Sequence, residues 1–172
     1  MGRPYIYPLP SFLAGRVTQQ QYSLWLEGRT KWLYKRDRKR GKPYAKSLQG
    51  INSINSGRPS TKNGIRAFYK SLIHLAVVNC GPNDPYTGEK LSWELIGTWT
   101  NTNYEERLPD SYGEKYALMP TVDHRDPDVL EFEICSWKIN DAKGDLDPKE
   151  FIALCRCVAR HSSNKIVYSN KS

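Results

Sequence analysis

The residues best equipped for chemistry lie in Thr121-Val122-Asp123-His124-Arg125-Asp126-Pro127-Asp128, which carries one of the chain's three histidines. Imidazole titrates near neutrality, so a histidine set among carboxylates, with or without a metal, can act as a general base. The same stretch equally describes an exposed turn whose histidine pairs with an acid. Arg125 either clamps a phosphate bidentately or pairs with Asp126 or Asp128. Two further segments frame this one: Asp84-Pro85-Tyr86-Thr87-Gly88-Glu89-Lys90-Leu91 before it, and Ile139-Asn140-Asp141-Ala142-Lys143-Gly144-Asp145-Leu146 after it.

The elements that must position these residues follow from periodicity. Residues 117–123 and 130–135 read as two short strands joined by a turn at Asp126-Pro127-Asp128. A short helix spans 137–143 and stops at Gly144. Asp147-Pro148-Lys149-Glu150 starts another, with Asp as cap, Pro at the first position and Glu at the third. That last helix should bury Phe151, Leu154, Cys155 and Val158. Upstream, residues 1–17 are broken by prolines and read as an irregular arm. Tyr22, Trp25, Leu26, Trp32 and Leu33 predict a helix capped by Thr18. Residues 41–64, rich in Gly, Ser, Asn and Pro, read as a loop or hinge, and Thr61 should cap a second helix with Ile65, Phe68, Tyr69, Leu72, Ile73 and Ala76 on one side. His74 beside that stripe is a packing or surface residue. A short buried element is expected from Leu91 to Trp99.

The net charge of +8 is unevenly divided: residues 1–80 carry +13 and residues 81–172 carry −5. Such asymmetry suits one part that grips a polyanion and another that gathers carboxylates, although basic faces are also plainly solvated. Nine Lys/Arg lie between Arg29 and Lys46 against the single acid Asp37, interleaved with Trp32, Tyr34 and Tyr44. With 172 residues and aromatic content of 12% the chain can build a real core, which excludes wholesale disorder. No apolar run is long enough for a spanning helix and no leader is evident, so a cytoplasmic protein without a membrane partner is expected. Cys80, Cys135, Cys155 and Cys157 form no C-x-x-C pair, so free buried thiols and no structural zinc are expected.

Taken in order, the Tyr86-Thr87-Gly88-Glu89 element, the Asp123-His124 pair and Asn140-x-x-Lys143-Gly144-Asp145 resemble the HNH (ββα-metal) endonuclease family, including the HNH domains of CRISPR effectors and of small phage and bacterial nucleases. The resemblance covers roughly residues 80–161. It implies an α+β fold: a ββα-metal unit at 80–161, a mainly helical basic region at 1–79 that binds DNA, and a flexible tail at 162–172. It also implies roles. Asp123 and Asn140 would each give an oxygen to one divalent cation, and His124 would take the proton from the attacking water. Oxygen ligands of this kind suit Mg²⁺ or Mn²⁺. Because Asp123 and His124 are adjacent, they point to opposite faces unless the strand bends or ends there.

Two features depart from the family. Glu131 stands where a middle Asn usually braces the histidine loop, so Glu131 or Glu133 would have to replace it, unless each is simply a solvent-facing carboxylate. Ser136 and Ile139 stand where zinc-knuckle cysteines often occur, leaving packing by residues such as Phe132 and Trp137 to hold the unit. Lys143 either contacts phosphate or is a surface lysine, and Tyr86, Thr87 and Glu89 shape the site.

The expected activity is therefore phosphodiester hydrolysis by a one-metal, histidine-base mechanism. The partner is DNA, in the first place the duplex, held by Lys35, Arg36, Arg38, Lys39, Arg40 and Lys42 through phosphate neutralisation; a homodimer is compatible with this. The alternatives are a non-catalytic nucleic-acid binder with an HNH-like fold, and an RNA-directed nuclease.

Overall fold

The computed structural model describes residues 6–46, 62–98, 111–126 and 128–169. The expected cap Thr61, most of the loop before it, and Trp99 lie outside the described residues.

Helix α1 spans Gln19–Lys39. The Thr18 hydroxyl accepts the Gln21 N–H at 3.1 Å while the Gln21 side chain accepts the Thr18 N–H at 2.8 Å. This reciprocal cap satisfies donors that the first turn would otherwise leave unpaired. Tyr22, Trp25, Leu26 and Leu33 are buried as the stripe predicts, but Trp32 is 50% exposed. At about 100° per residue Trp32 falls just beyond Trp25, on the outer margin of the buried face. The Trp32 ring instead lies 4.7 Å beneath the Arg36 guanidinium. A short helix α2, Pro43–Lys46, follows and drives Tyr44 and Ala45 into the core.

Helix α3 spans Lys62–Cys80 and packs along α1 through Ile65, Tyr69, Ile73, Ala76 and Val77. Beyond it, a 3₁₀ turn at Trp93–Leu95 places Trp93 fully out of solvent, edge-on to Trp25 with ring centroids 6.0 Å apart. Among the described residues neither indole N–H finds an acceptor. Each costs about 1–3 kcal/mol, which ring burial of similar size must offset.

After α4, Ser111–Tyr116, strands β1 (Pro120–His124) and β2 (Phe132–Ser136) pair antiparallel, with Asp123 opposite Glu133 and His124 opposite Phe132. Helix α5, Trp137–Lys143, begins at once and ends at Gly144, whose φ of 58° closes the helix in a conformation that costs other residues strain. Helix α6 runs Pro148–Ser169, capped by Asp147 and Glu150 as expected. It differs from expectation in two ways. It continues past residue 161 into the segment expected as a tail, and among its described side chains only Phe151 of the apolar residues is buried. Leu154 and Val158 are 51% and 57% exposed, and Cys155 and Cys157 are exposed too. Apolar spacing showed a stripe there without a neighbour to cover it.

The architecture is therefore α+β, many helices around a two-stranded antiparallel sheet. The hairpin's two faces differ. Val122, Phe132 and Ile134 join the core built by α1 and α3, whereas the face of Asp123 and Glu133 meets Lys143 of α5. That core crosses the boundary expected near residue 80. Among the described residues, no helix is long and apolar enough to cross a membrane.

Candidate active site

The Tyr86-Thr87-Gly88-Glu89 segment is anchored by Asp84. Its carboxylate accepts the N–H groups of Tyr86 at 2.8 Å and Thr87 at 3.0 Å, then that of Ser136, at the end of β2, at 2.6 Å. Burial alone would raise the Asp84 carboxyl, but these hydrogen bonds bring it below the usual carboxylate value. The Tyr86 hydroxyl in turn donates to Glu133. Asp84 and Tyr86 thus tie this loop to β2.

β1 terminates at His124, with the register intact to its end. Asp123 and His124 keep to opposite faces, Asp123 toward Lys143 of α5 and His124 toward the end of α1. At the strand end both nevertheless line a cavity of about 210 Å³, as does Asn140 on α5, sixteen residues further along the chain. Lys143, also on its wall, is 2% exposed and donates to Asp123 Oδ2 at 2.8 Å and to the His124 carbonyl at 3.0 Å. It is thus neither a surface lysine nor open to solvent phosphate, because α5 ends directly over the polar face of the hairpin.

The opposite wall comes from the end of α1. His124 Nε2 lies 3.0 Å from Asp37 Oδ2, and His124 Nδ1 lies 2.6 Å from an Arg36 guanidinium nitrogen. Arginine can only donate, so Nδ1 presents its lone pair and the proton sits on Nε2, donated to Asp37. Tyr69 also donates to Asp37 Oδ2, at 3.0 Å. Burial pushes the Asp37 carboxyl up, but the bonds from His124 and Tyr69 and the Arg36 charge hold it below its ordinary value. Phe132 packs edge-on to the imidazole at 5.0 Å. Tyr44 tilts beside it at 6.2 Å.

Other expected site residues lie elsewhere. Glu131 is exposed and pairs with Arg125 at 3.0 Å, so it engages the hairpin turn rather than the cavity, and Arg125 pairs with neither Asp126 nor Asp128. The basic segment divides. Arg36, Arg40 and Lys42 face the cavity, where Arg40 pairs with Asp145 and Lys42 with Asp128, each at 3.0 Å. Lys35 and Arg38, with Lys31 and Arg66, line a second cleft of about 450 Å³ between α1 and α3. Lys39 is exposed.

Sequence reasoning missed Asp37. Its signal was present: one acid in an otherwise cationic run, a residue that must be solvated, paired locally or buried for a reason. It is 1% exposed. As for a metal, no cluster of three or more His, Cys, Asp and Glu side chains is placed to share one among the described residues. The oxygen donors Asp123 and Asn140 are chemically suited to a hard cation that keeps several waters, with Lys143 already holding one Asp123 oxygen. No family model, no curated protein and no solved structure matches this chain.

Proposed function

We propose that the chain is a metal-dependent DNA endonuclease of the HNH type, with β1, β2 and α5 as its ββα-metal unit. One observation carries this: Asp123, His124 and Asn140, singled out by their resemblance to that family, line one cavity that Arg36, Arg40 and Lys42 line with them. Asp123 and Asn140 would hold one Mg²⁺ or Mn²⁺. When bound, the ion would neutralise charge on the reacting phosphate and the departing 3′ oxygen.

The remaining work falls to side chains. His124 Nδ1 carries the lone pair that would accept a proton from water. Arg36 covers that nitrogen and must leave it, and a phosphate oxygen is the stronger partner for a guanidinium. The cations of the α1–α3 cleft and of the cavity rim would hold the phosphate backbone against a site that itself bears carboxylates.

The test is a plasmid-nicking assay with Mg²⁺ or Mn²⁺, run beside single-stranded DNA and structured RNA. Wild type should nick duplex DNA, EDTA should stop it, and His124→Ala should lose at least about a hundredfold in rate while keeping DNA affinity. A His124→Ala protein that cleaves at the wild-type rate sinks the proposal. The rival reading, a binder without turnover, draws on the same geometry: Arg36 covers the imidazole and Lys143 holds Asp123. It predicts tight DNA binding with no nicking under either metal.

A further inference from the structure

We infer that Asp37, on the basic helix, is the positioning residue for the His124 imidazole; this rests on the nuclease proposal for its catalytic meaning. Three observations converge. The Asp37 carboxylate meets Nε2 at 3.0 Å, with the Asp37 side chain 2% and the His124 side chain 8% exposed. The other ring nitrogen meets a group that can only donate, so the proton on Nε2 needs an acceptor and Asp37 is the one present. The carboxylate is itself fixed, by Tyr69 on α3 at 3.0 Å, with the ring held edge-on by Phe132. A buried carboxylate oriented in this way selects one tautomer and one ring orientation, leaving Nδ1 as the basic atom, beneath the Arg36 guanidinium.

The consequence is that α1 does more than grip polymer. Arg36 and Asp37 are consecutive residues, 88 and 87 positions before His124, and they address the two nitrogens of its one ring. The orienter of the base therefore comes from outside the segment that resembles the family.

The experiment uses the full chain without metal and reads the imidazole by ¹⁵N-resolved NMR, then measures nicking with Mg²⁺. Wild type should show a slowly exchanging Nε2–H signal from His124. Arg36→Ala should retain it, because Asp37 alone accepts that proton. Asp37→Ala should lose it; since that variant leaves Tyr69 without its acceptor and can fail to fold, Asp37→Leu combined with Tyr69→Phe, which fills the space and removes both the acceptor and the second donor, provides the second measurement and should lose it too. In the nicking assay this double variant should fall at least about a hundredfold in kcat with KM for DNA unchanged, whereas Tyr69→Phe alone should keep both signal and rate. A wild-type proton on Nδ1, or a double variant that keeps both the signal and the rate, overturns the inference. A wild type that shows the Nε2–H signal but never nicks DNA overturns the nuclease proposal instead, and with it the catalytic role but not the contact.

Discussion

Lys143 and Asp123 form an ion pair at 2.8 Å with side-chain exposures of 1% and 7%. Removing one member of such a pair leaves the other charged and dry, which costs about 3–5 kcal/mol. Lys143→Met should therefore destabilise the protein by about 3 kcal/mol in urea unfolding. The double variant Lys143→Met with Asp123→Asn should recover part of that loss. A Lys143→Met protein as stable as wild type would show the pair to be dispensable.

Asp84 predicts a pH dependence. Its carboxyl is held below the ordinary value near 3.8 in the folded chain. A depressed folded value means stabilisation that is complete above the unfolded value and drains away as pH falls through the folded one. Urea midpoints measured from about pH 7 down to about pH 3 should fall for wild type. Asp84→Asn should be less stable near neutral pH and should fall less steeply on acidification, because it has no proton to take up. Parallel curves for the two proteins would remove Asp84 as the source.

DNA affinity should respond oppositely to two sets of changes. Replacing Lys35, Arg38 and Lys39 by Ser should weaken binding and reduce the slope of log affinity against log salt, by up to about 0.9 for each phosphate that is no longer neutralised. Asp128→Asn and Asp145→Asn free Lys42 and Arg40 from their ion pairs and should strengthen binding. Fluorescence anisotropy across a salt series reads both, and an unchanged slope in the first set would move the binding surface off α1.

Among the described side chains of helix α6, one apolar position should be sensitive. Phe151 is 6% exposed, so Phe151→Ala should cost about 3 kcal/mol. Ile152, Leu154 and Val158 are at least 40% exposed, and Ser at each should change stability by no more than about 0.5 kcal/mol. Larger losses at these three in thermal unfolding would show that the face is covered in solution.

Local signals were legible and tertiary partners were not. The Asp147 cap, the Gly144 stop and the 137–143 helix follow from residue types that act on their own neighbours. The Trp32 and Leu154 assignments failed because an apolar stripe states what a helix can bury, not whether anything arrives to cover it. The likeness in residues 80–161 brought forward Asp123, His124 and Asn140, and all three line one cavity. It was silent on Lys143 as a buried counter-ion, since only the fold shows that α5 ends over Asp123. It was equally silent on Asp37, whose partner lies 87 residues away in the chain.

The core that Val122, Phe132 and Ile134 share with α1 and α3 bears on how such a protein could be rearranged by recombination or by design. Transplanting the hairpin and α5 as a cassette would carry off bare Phe132 and Ile134 and strand His124 without its carboxylate. Exchange of parts among chains built this way must therefore move both halves together, or re-create a matching helix in the recipient.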